Sequence, residues 1–183
     1  MGHLEIGNMK KTQPHIIIFS GYGLNCEEET KTAFELSGAH ADIVHINDIK
    51  AKPGMLKKYQ IAAFPGGFSY GDDTGSGKAY GNTLKHHLGD ALRDFLARDT
   101  LMVGICNGFQ IITSAGILPG ALTANENPRY LTRWVDVEVK GESPWFSGIT
   151  RMSLPIAHGE GNYAIDAQGL ARLKKEGGGA LTY

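Results

Sequence analysis

A cysteine, Cys106, stands between two glycines at the end of an apolar stretch, in the segment 101–110 (LMVGICNGFQ). The apolar run predicts a buried strand, and Gly-x-Cys-x-Gly predicts a sharp turn into a helix, as in nucleophile elbows. Side chains two positions before and after the nucleophile would collide in such a turn, so Gly104 and Gly108 fit it. The turn places the sulfur at a helix N-terminus, where backbone N–H groups favour a thiolate. The pattern therefore favours a nucleophilic cysteine over a buried, inert one.

Attack of a thiolate on a carbonyl group also requires hydrogen-bond donors for the oxyanion. The backbone N–H of Asn107, the residue after the nucleophile, is one candidate. Gly66 and Gly67 follow another predicted strand, at the carboxyl edge where doubly wound sheets bind ligands. A glycine there lets a backbone amide approach the substrate closely, so we expect a second oxyanion donor at this turn. An ordinary tight turn is the alternative interpretation.

Proton transfer requires an acid–base group, and seven histidines are available. His158 differs from the others because it lies in the segment 155–161 (PIAHGEG), a glycine-rich loop at a predicted strand end. His158 and Glu160 can be interpreted as a base and the group that orients it, or His158 can shape a pocket without transferring protons. The two cysteines, Cys26 and Cys106, fit no metal-binding spacing, so we expect no metal site.

Short apolar runs alternate with helical patterns through the first two thirds of the chain. This order predicts an α/β fold with a doubly wound, mostly parallel sheet. After Gly120, the alternation in Trp134–Val139 predicts antiparallel strands beyond the elbow helix. The polar residues 1–14 are predicted to be a flexible extension, and residues 15–183 to form one domain.

The net charge of −1 gives no electrostatic argument for a nucleic-acid or membrane-surface partner. No apolar run reaches the length of a membrane span, and the N-terminal residues show no secretory signal. Two thiols in a chain of this kind are expected to stay reduced, which favours the cytoplasm.

Three segments resemble a known family. Residues 104–110 (GICNGFQ) match the Gly-x-Cys-x-Gly-x-Gln signature of class I (triad) glutamine amidotransferases. More narrowly, residues 64–72 (FPGGFSYGD) and 155–161 resemble the glutaminase part of phosphoribosylformylglycinamidine synthase, an enzyme of purine biosynthesis. The resemblance runs from about residue 15 to 165, and it implies the flavodoxin-like class I glutamine amidotransferase fold.

The resemblance also implies an activity. Cys106 would attack the side-chain amide of glutamine, form a glutamyl thioester and release ammonia to a synthetase subunit or domain. Gly67 and Asn107 would form the oxyanion hole, and Gly66 and Gln110 would help to bind glutamine. The domain would need no cofactor of its own, since ATP and Mg²⁺ are expected on the synthetase partner.

The sequence departs from the family at one point. The family has its catalytic histidine and glutamate in a His-Pro-Glu motif near the C-terminus, and this sequence contains no such motif. His158-Gly-Glu160 has the same spacing, but its context matches a separate, upstream motif, so the triad roles do not transfer to it. We therefore expect a domain that lacks its C-terminal part, in a fragment of a longer protein.

Two other interpretations of the sequence stay open. A truncated or degenerate amidotransferase module could bind the synthetase without hydrolysing glutamine, or the chain could be another cysteine hydrolase of similar fold. The glycine-rich loop also carries Asp72 and Asp73, which are either solvated or face the partner.

Overall fold

A four-stranded parallel sheet forms the centre of the molecule. The computed structural model describes residues 13–73, 75–141, 143–175, 178–179 and 181–182. The strand order is β2–β1–β3–β4, as in the first four strands of flavodoxin-like sheets. The strands are β1 (His15–Ser20), β2 (His40–His45), β3 (Ile61–Phe64) and β4 (Leu101–Gly104). The predicted α/β fold with a parallel sheet is confirmed.

Helices cover both faces of this sheet. They are α1 (Glu27–Leu36), α2 (Ile46–Ala51), α3 (Lys78–Leu96) and α4 (Asn107–Ser114). A fifth helix, α5 (Ala167–Lys175), lies further along the chain. One face of the sheet packs with α3 and α4 in the larger core, where Phe19 and Phe64 stack at 4.1 Å between ring centroids. The opposite face packs around Phe34 of α1 in a smaller core. The alternation of β1 between these two cores explains why its apolar run is continuous.

Antiparallel strands follow the elbow helix, as the sequence predicts. They are β5 (Ala121–Thr123), β6 (Leu131–Val139), β7 (Arg151–His158), β8 (Asn162–Ala164) and β9 (Leu181–Thr182). β6 lies between β7 and β9, and β5 pairs with β8 in a separate two-stranded sheet. The β6–β7 register places Leu131 opposite His158 and Trp134 opposite Pro155.

The predicted extension, residues 1–14, lies outside the described residues except for its last two positions, and the proposed domain 15–183 stays a prediction. In the described ranges, no helix is long and apolar enough to cross a membrane.

Candidate active site

Cys106 occupies a strained turn between β4 and α4. Its φ of 52° and ψ of −113° are unusual for a residue with a side chain. The turn is possible because glycines flank it: a Cβ on Gly104 would lie 2.8 Å from the backbone of Gly108, and one on Gly108 would lie 2.5 Å from the carbonyl carbon of Phe64. The side chain of Cys106 is exposed. The elbow geometry predicted from Gly-x-Cys-x-Gly is therefore present, with the thiol accessible.

The loop after β3 lies beside this elbow. Phe64 pairs with Gly104 across β3 and β4, so Gly66 and Gly67 begin their loop next to Cys106. A Cβ on Gly67 would lie 2.6 Å from the carbonyl oxygen of Gly23, which explains why this position needs glycine. Within the described part of the chain, the backbone N–H groups of Gly67 and Asn107 donate no hydrogen bond. Both remain available to an oxyanion.

Cys106 lines a pocket of about 480 Å³ together with Gly66 and Gly67. The other lining residues are Asn25, Cys26, Glu29, Thr30, Ala33, Phe68, Ile105, Tyr130 and Ala157. The structure therefore brings three of the predicted site residues to one pocket. Asn107, Gln110 and His158 are not among its lining residues.

Asn107 and Gln110 are joined to each other instead. The Asn107 Nδ2 donates to Gln110 Oε1 at 2.9 Å, and Gln110 Nε2 donates to the Glu160 carbonyl oxygen at 3.0 Å. The Gln110 amide thus has one partner at each end, while its oxygen and nitrogen keep capacity for one more hydrogen bond each. Its role in binding glutamine stays a prediction.

His158 and Glu160 have different hydrogen-bond partners. His158 Nδ1 lies 2.9 Å from Asn125 Oδ1, whereas Glu160 Oε2 accepts from the backbone N–H of Ser76 at 2.8 Å. His158 lines a second pocket, which contains Asn125 but not Cys106. The structure thus shows no hydrogen bond between the suggested base and its orienting group. Whether His158 acts as a base or as a pocket residue stays a prediction.

Cys26 also lines the Cys106 pocket, although the sequence pattern indicated no role for it. A Cβ on Gly66 would lie 3.5 Å from Cys26 Sγ and 3.6 Å from Cys106 Cβ, so Gly66 separates the two cysteines. Burial raises the pKa of the Cys26 thiol, and the carboxylate of Glu29 raises it further. The available signal was its place in the loop after β1, since that strand also ends at the carboxyl edge of the sheet.

Acidic, histidine and cysteine side chains do not form a cluster of three or more that could hold a metal ion within the part of the chain that the structure describes.

The fold and the site define an α/β protein with an exposed cysteine at a strand–helix elbow. The family model of the CobB/CobQ-like glutamine amidotransferase domain matches residues 13–183. The chain belongs to this family of glutamine amidotransferases.

Individual relatives agree with this assignment. The phosphoribosylformylglycinamidine synthase subunit PurQ of Methanococcus maripaludis (strain C5) is 47% identical over 173 residues, which cover 88% of this chain and 64% of that protein. The subunit of the same name from Thermus thermophilus is 40% identical over 161 residues, which cover 85% and 66%. The chain therefore spans somewhat less than two thirds of the length of these curated relatives.

A solved structure supports the same fold. The structure of PurLQS from Thermotoga maritima aligns with a TM-score of 0.71 and 30% identity, over 85% of this chain and 72% of that chain.

Proposed function

We propose that this chain is the glutaminase component of a phosphoribosylformylglycinamidine synthase and supplies ammonia for purine biosynthesis. One observation carries the proposal: the exposed thiol of Cys106 sits on a nucleophile elbow, beside the unpaired N–H groups of Gly67 and Asn107. Acyl transfer from a glutamine amide requires a nucleophile, here a thiol, and hydrogen-bond donors for the oxyanion.

In this reaction, the Cys106 thiolate attacks the side-chain amide carbon of glutamine. The carbonyl oxygen becomes an oxyanion between the N–H groups of Gly67 and Asn107, each of which contributes about 10²–10³-fold to such reactions. The tetrahedral intermediate collapses, the C–N bond breaks, and protonated nitrogen leaves as ammonia. Water then hydrolyses the glutamyl thioester, which releases glutamate and restores the thiol. Gly66 and Gln110 are proposed to hold the substrate.

Protonation of the leaving nitrogen requires an acid–base group, which typically contributes ~10²–10⁴-fold. In the described part of the chain, no histidine lines the Cys106 pocket. His158 is retained as the candidate base, with a role in shaping its own pocket as the alternative. A His158→Gln variant separates these roles, because loss of a base lowers kcat by at least about 10²-fold.

The synthetase partner, its ATP and Mg²⁺, and a location in the cytoplasm belong to the same proposal. Their support is the similarity to relatives that are named as synthase subunits. Ammonia released at Cys106 would pass to that partner, which converts formylglycinamide ribonucleotide to its amidine.

The test compares two nitrogen sources in the assembled enzyme, with the complete polypeptide and its synthetase partner. We expect Cys106→Ala to abolish amidine formation from glutamine and to leave formation from added ammonium salt unchanged. The ammonia-dependent rate is the internal control for folding and docking. Unchanged glutamine-dependent synthesis in Cys106→Ala would refute the mechanism. Absence of glutamine-dependent synthesis in the unsubstituted enzyme would favour a docking module without glutaminase activity.

A further inference from the structure

The side chain of Asn107 is buried, and both of its polar atoms make hydrogen bonds. It is 1% exposed, and its Oδ1 accepts from the backbone N–H of Ser69 at 3.0 Å. Its Nδ2 group donates to Gln110 Oε1 at 2.9 Å and to Asp72 Oδ1 at 3.3 Å. An amide nitrogen has two hydrogens, so both are used. The residue that carries the proposed oxyanion N–H is therefore anchored through its side chain.

These hydrogen bonds close into a ring that connects three distant segments of the chain. From Asn107, the ring passes through Gln110 to Glu160, whose carboxylate accepts from the Ser76 N–H at 2.8 Å. The Ser76 hydroxyl then donates to Asp72 Oδ2 at 3.3 Å, and Asp72 Oδ1 accepts from Asn107. The ring joins the elbow helix to the glycine-rich loop and to the loop after β7. We name it the Asn107 ring.

Asp72 is the residue in this ring with the least favourable backbone conformation. Its φ is 55°, and the two preceding residues, Tyr70 and Gly71, also have positive φ values of 53° and 67°. Aspartate adopts this left-handed conformation more readily than most residues, but the conformation still costs free energy. The strained turn points both carboxylate oxygens of Asp72 into the ring, where each one accepts a hydrogen bond.

We propose that Asp72 is a positioning residue for the reaction at Cys106. Its carboxylate bridges Asn107 Nδ2 and Ser76 Oγ. It thereby fixes Asn107, whose backbone N–H is the proposed oxyanion donor. A hydrogen bond to a charged acceptor is stronger than one to a neutral acceptor, so a carboxylate suits this role. The inference rests on the proposed glutaminase function, and it assigns to Asp72 a role that neither solvation nor a partner surface would give.

The expected effect is on kcat, because an oxyanion exists only in the transition state and in the intermediates. Loss of an oxyanion donor costs about 10²–10³-fold in kcat, and a misdirected donor keeps part of its effect. We expect Asp72→Ala to lower the glutaminase kcat by about 10–100-fold in the assembled enzyme, with little change in KM. Asp72→Asn keeps an acceptor oxygen for Asn107 and should recover most of the rate.

Two comparisons make the test specific. Asp73→Ala is the matched control, since Asp73 is the exposed neighbour in the same loop, and it should leave kcat and KM unchanged.

Asn107→Ala keeps the backbone N–H but removes its anchor, so it should lower kcat by a similar factor. If Asp72 acts through Asn107, the double variant should be no slower than the slower single variant. Asn107→Ala and Asp72→Asn also test the ring if Asp72→Ala does not fold.

The outcomes separate this inference from the proposed function. Absence of glutaminase activity in the unsubstituted assembled enzyme would refute the proposed function. An active enzyme in which Asp72→Ala matches Asp73→Ala would overturn the positioning role alone. The role would also be overturned if Asp72→Ala raised KM at unchanged kcat, or if the two single effects multiplied in the double variant.

Discussion

At the scale of single residues, the two cysteines of one pocket should differ in reactivity. Cys106 is exposed at the helix N-terminus, whereas Cys26 is partly buried behind Gly66 and near Glu29. Burial and the nearby carboxylate both disfavour the Cys26 thiolate and raise its pKa. Since only the thiolate reacts with alkylating agents, Cys26 should stay largely unreactive at neutral pH.

We therefore predict that alkylation of Cys26 has its pH midpoint above that of the same cysteine in the urea-unfolded chain. A raised pKa means that the thiolate forms only at higher pH, so the labelling curve shifts upwards. Iodoacetamide labelling followed by peptide mass spectrometry measures each cysteine separately. Glu29→Gln should lower the midpoint, and Glu28→Gln, which changes the adjacent exposed carboxylate, should not. Identical curves for folded and unfolded protein would contradict the prediction.

At the scale of secondary-structure elements, the close packing of α4 on β3 depends on Gly108. A Cβ at this position would lie 2.5 Å from the carbonyl carbon of Phe64, which is backbone and cannot rotate away. Overpacking of this kind typically costs about 1–3 kcal/mol, and a clash with backbone belongs at the upper end. We predict that Gly108→Ala lowers the free energy of unfolding in urea by about 3 kcal/mol or more.

Gly54→Ala is the control for this substitution. A Cβ on Gly54 would meet no atom within 4 Å, and its φ is not positive, so alanine should be neutral or slightly stabilising. Equal unfolding midpoints for the two variants would show that α4 moves away from β3 without cost, which would contradict the dependence of this packing on Gly108.

The sequence predicts the elements whose pattern follows from burial on a regular period. The parallel strands could be predicted from short apolar runs, of which those of β1 and β3 are buried on both faces. Strand β6 could be predicted because its side chains alternate along the strand. The strands β5 and β8 were not predicted, because three residues are too few to show alternation. Their pairing is determined by tertiary structure, which a local pattern does not contain.

The candidate site also combines features that a local sequence pattern predicts with features that depend on tertiary structure. The proximity of Cys106, Gly66 and Gly67 could be predicted from the elbow motif and from the rule that ligand sites lie at the carboxyl edge of a parallel sheet. Asp72 could not be assigned a role, since its partner Asn107 lies 35 positions away. Cys26 was likewise not selected, because its position beside Gly66 depends on how two loops meet.

At the scale of the whole molecule, the buried core is concentrated in the parallel sheet and the helices that pack on it. Among the described residues, every buried apolar side chain except Val137 precedes residue 113. The outer face of the β6–β7 hairpin is exposed to solvent, and Trp134 on that face is 70% exposed. Regions with few buried apolar contacts open locally at a lower free energy than the core does. The hairpin should therefore open while the parallel sheet remains folded.

Hydrogen exchange measured by mass spectrometry tests this difference. We predict that amides of β1 and β3 exchange only through global unfolding. Their exchange rates should therefore fall when the free energy of unfolding of the whole protein rises, and rise when it falls. Amides of β6 and β7 should exchange faster and should respond little to Gly108→Ala, because their opening does not require the sheet to unfold. The Glu160 carboxylate ties the loop after β7 to the glycine-rich loop by accepting from the Ser76 N–H, so Glu160→Ala should accelerate exchange next to β7 and leave β1 unchanged. Protection of β6 and β7 equal to that of β1 would show instead that the molecule unfolds as one cooperative unit.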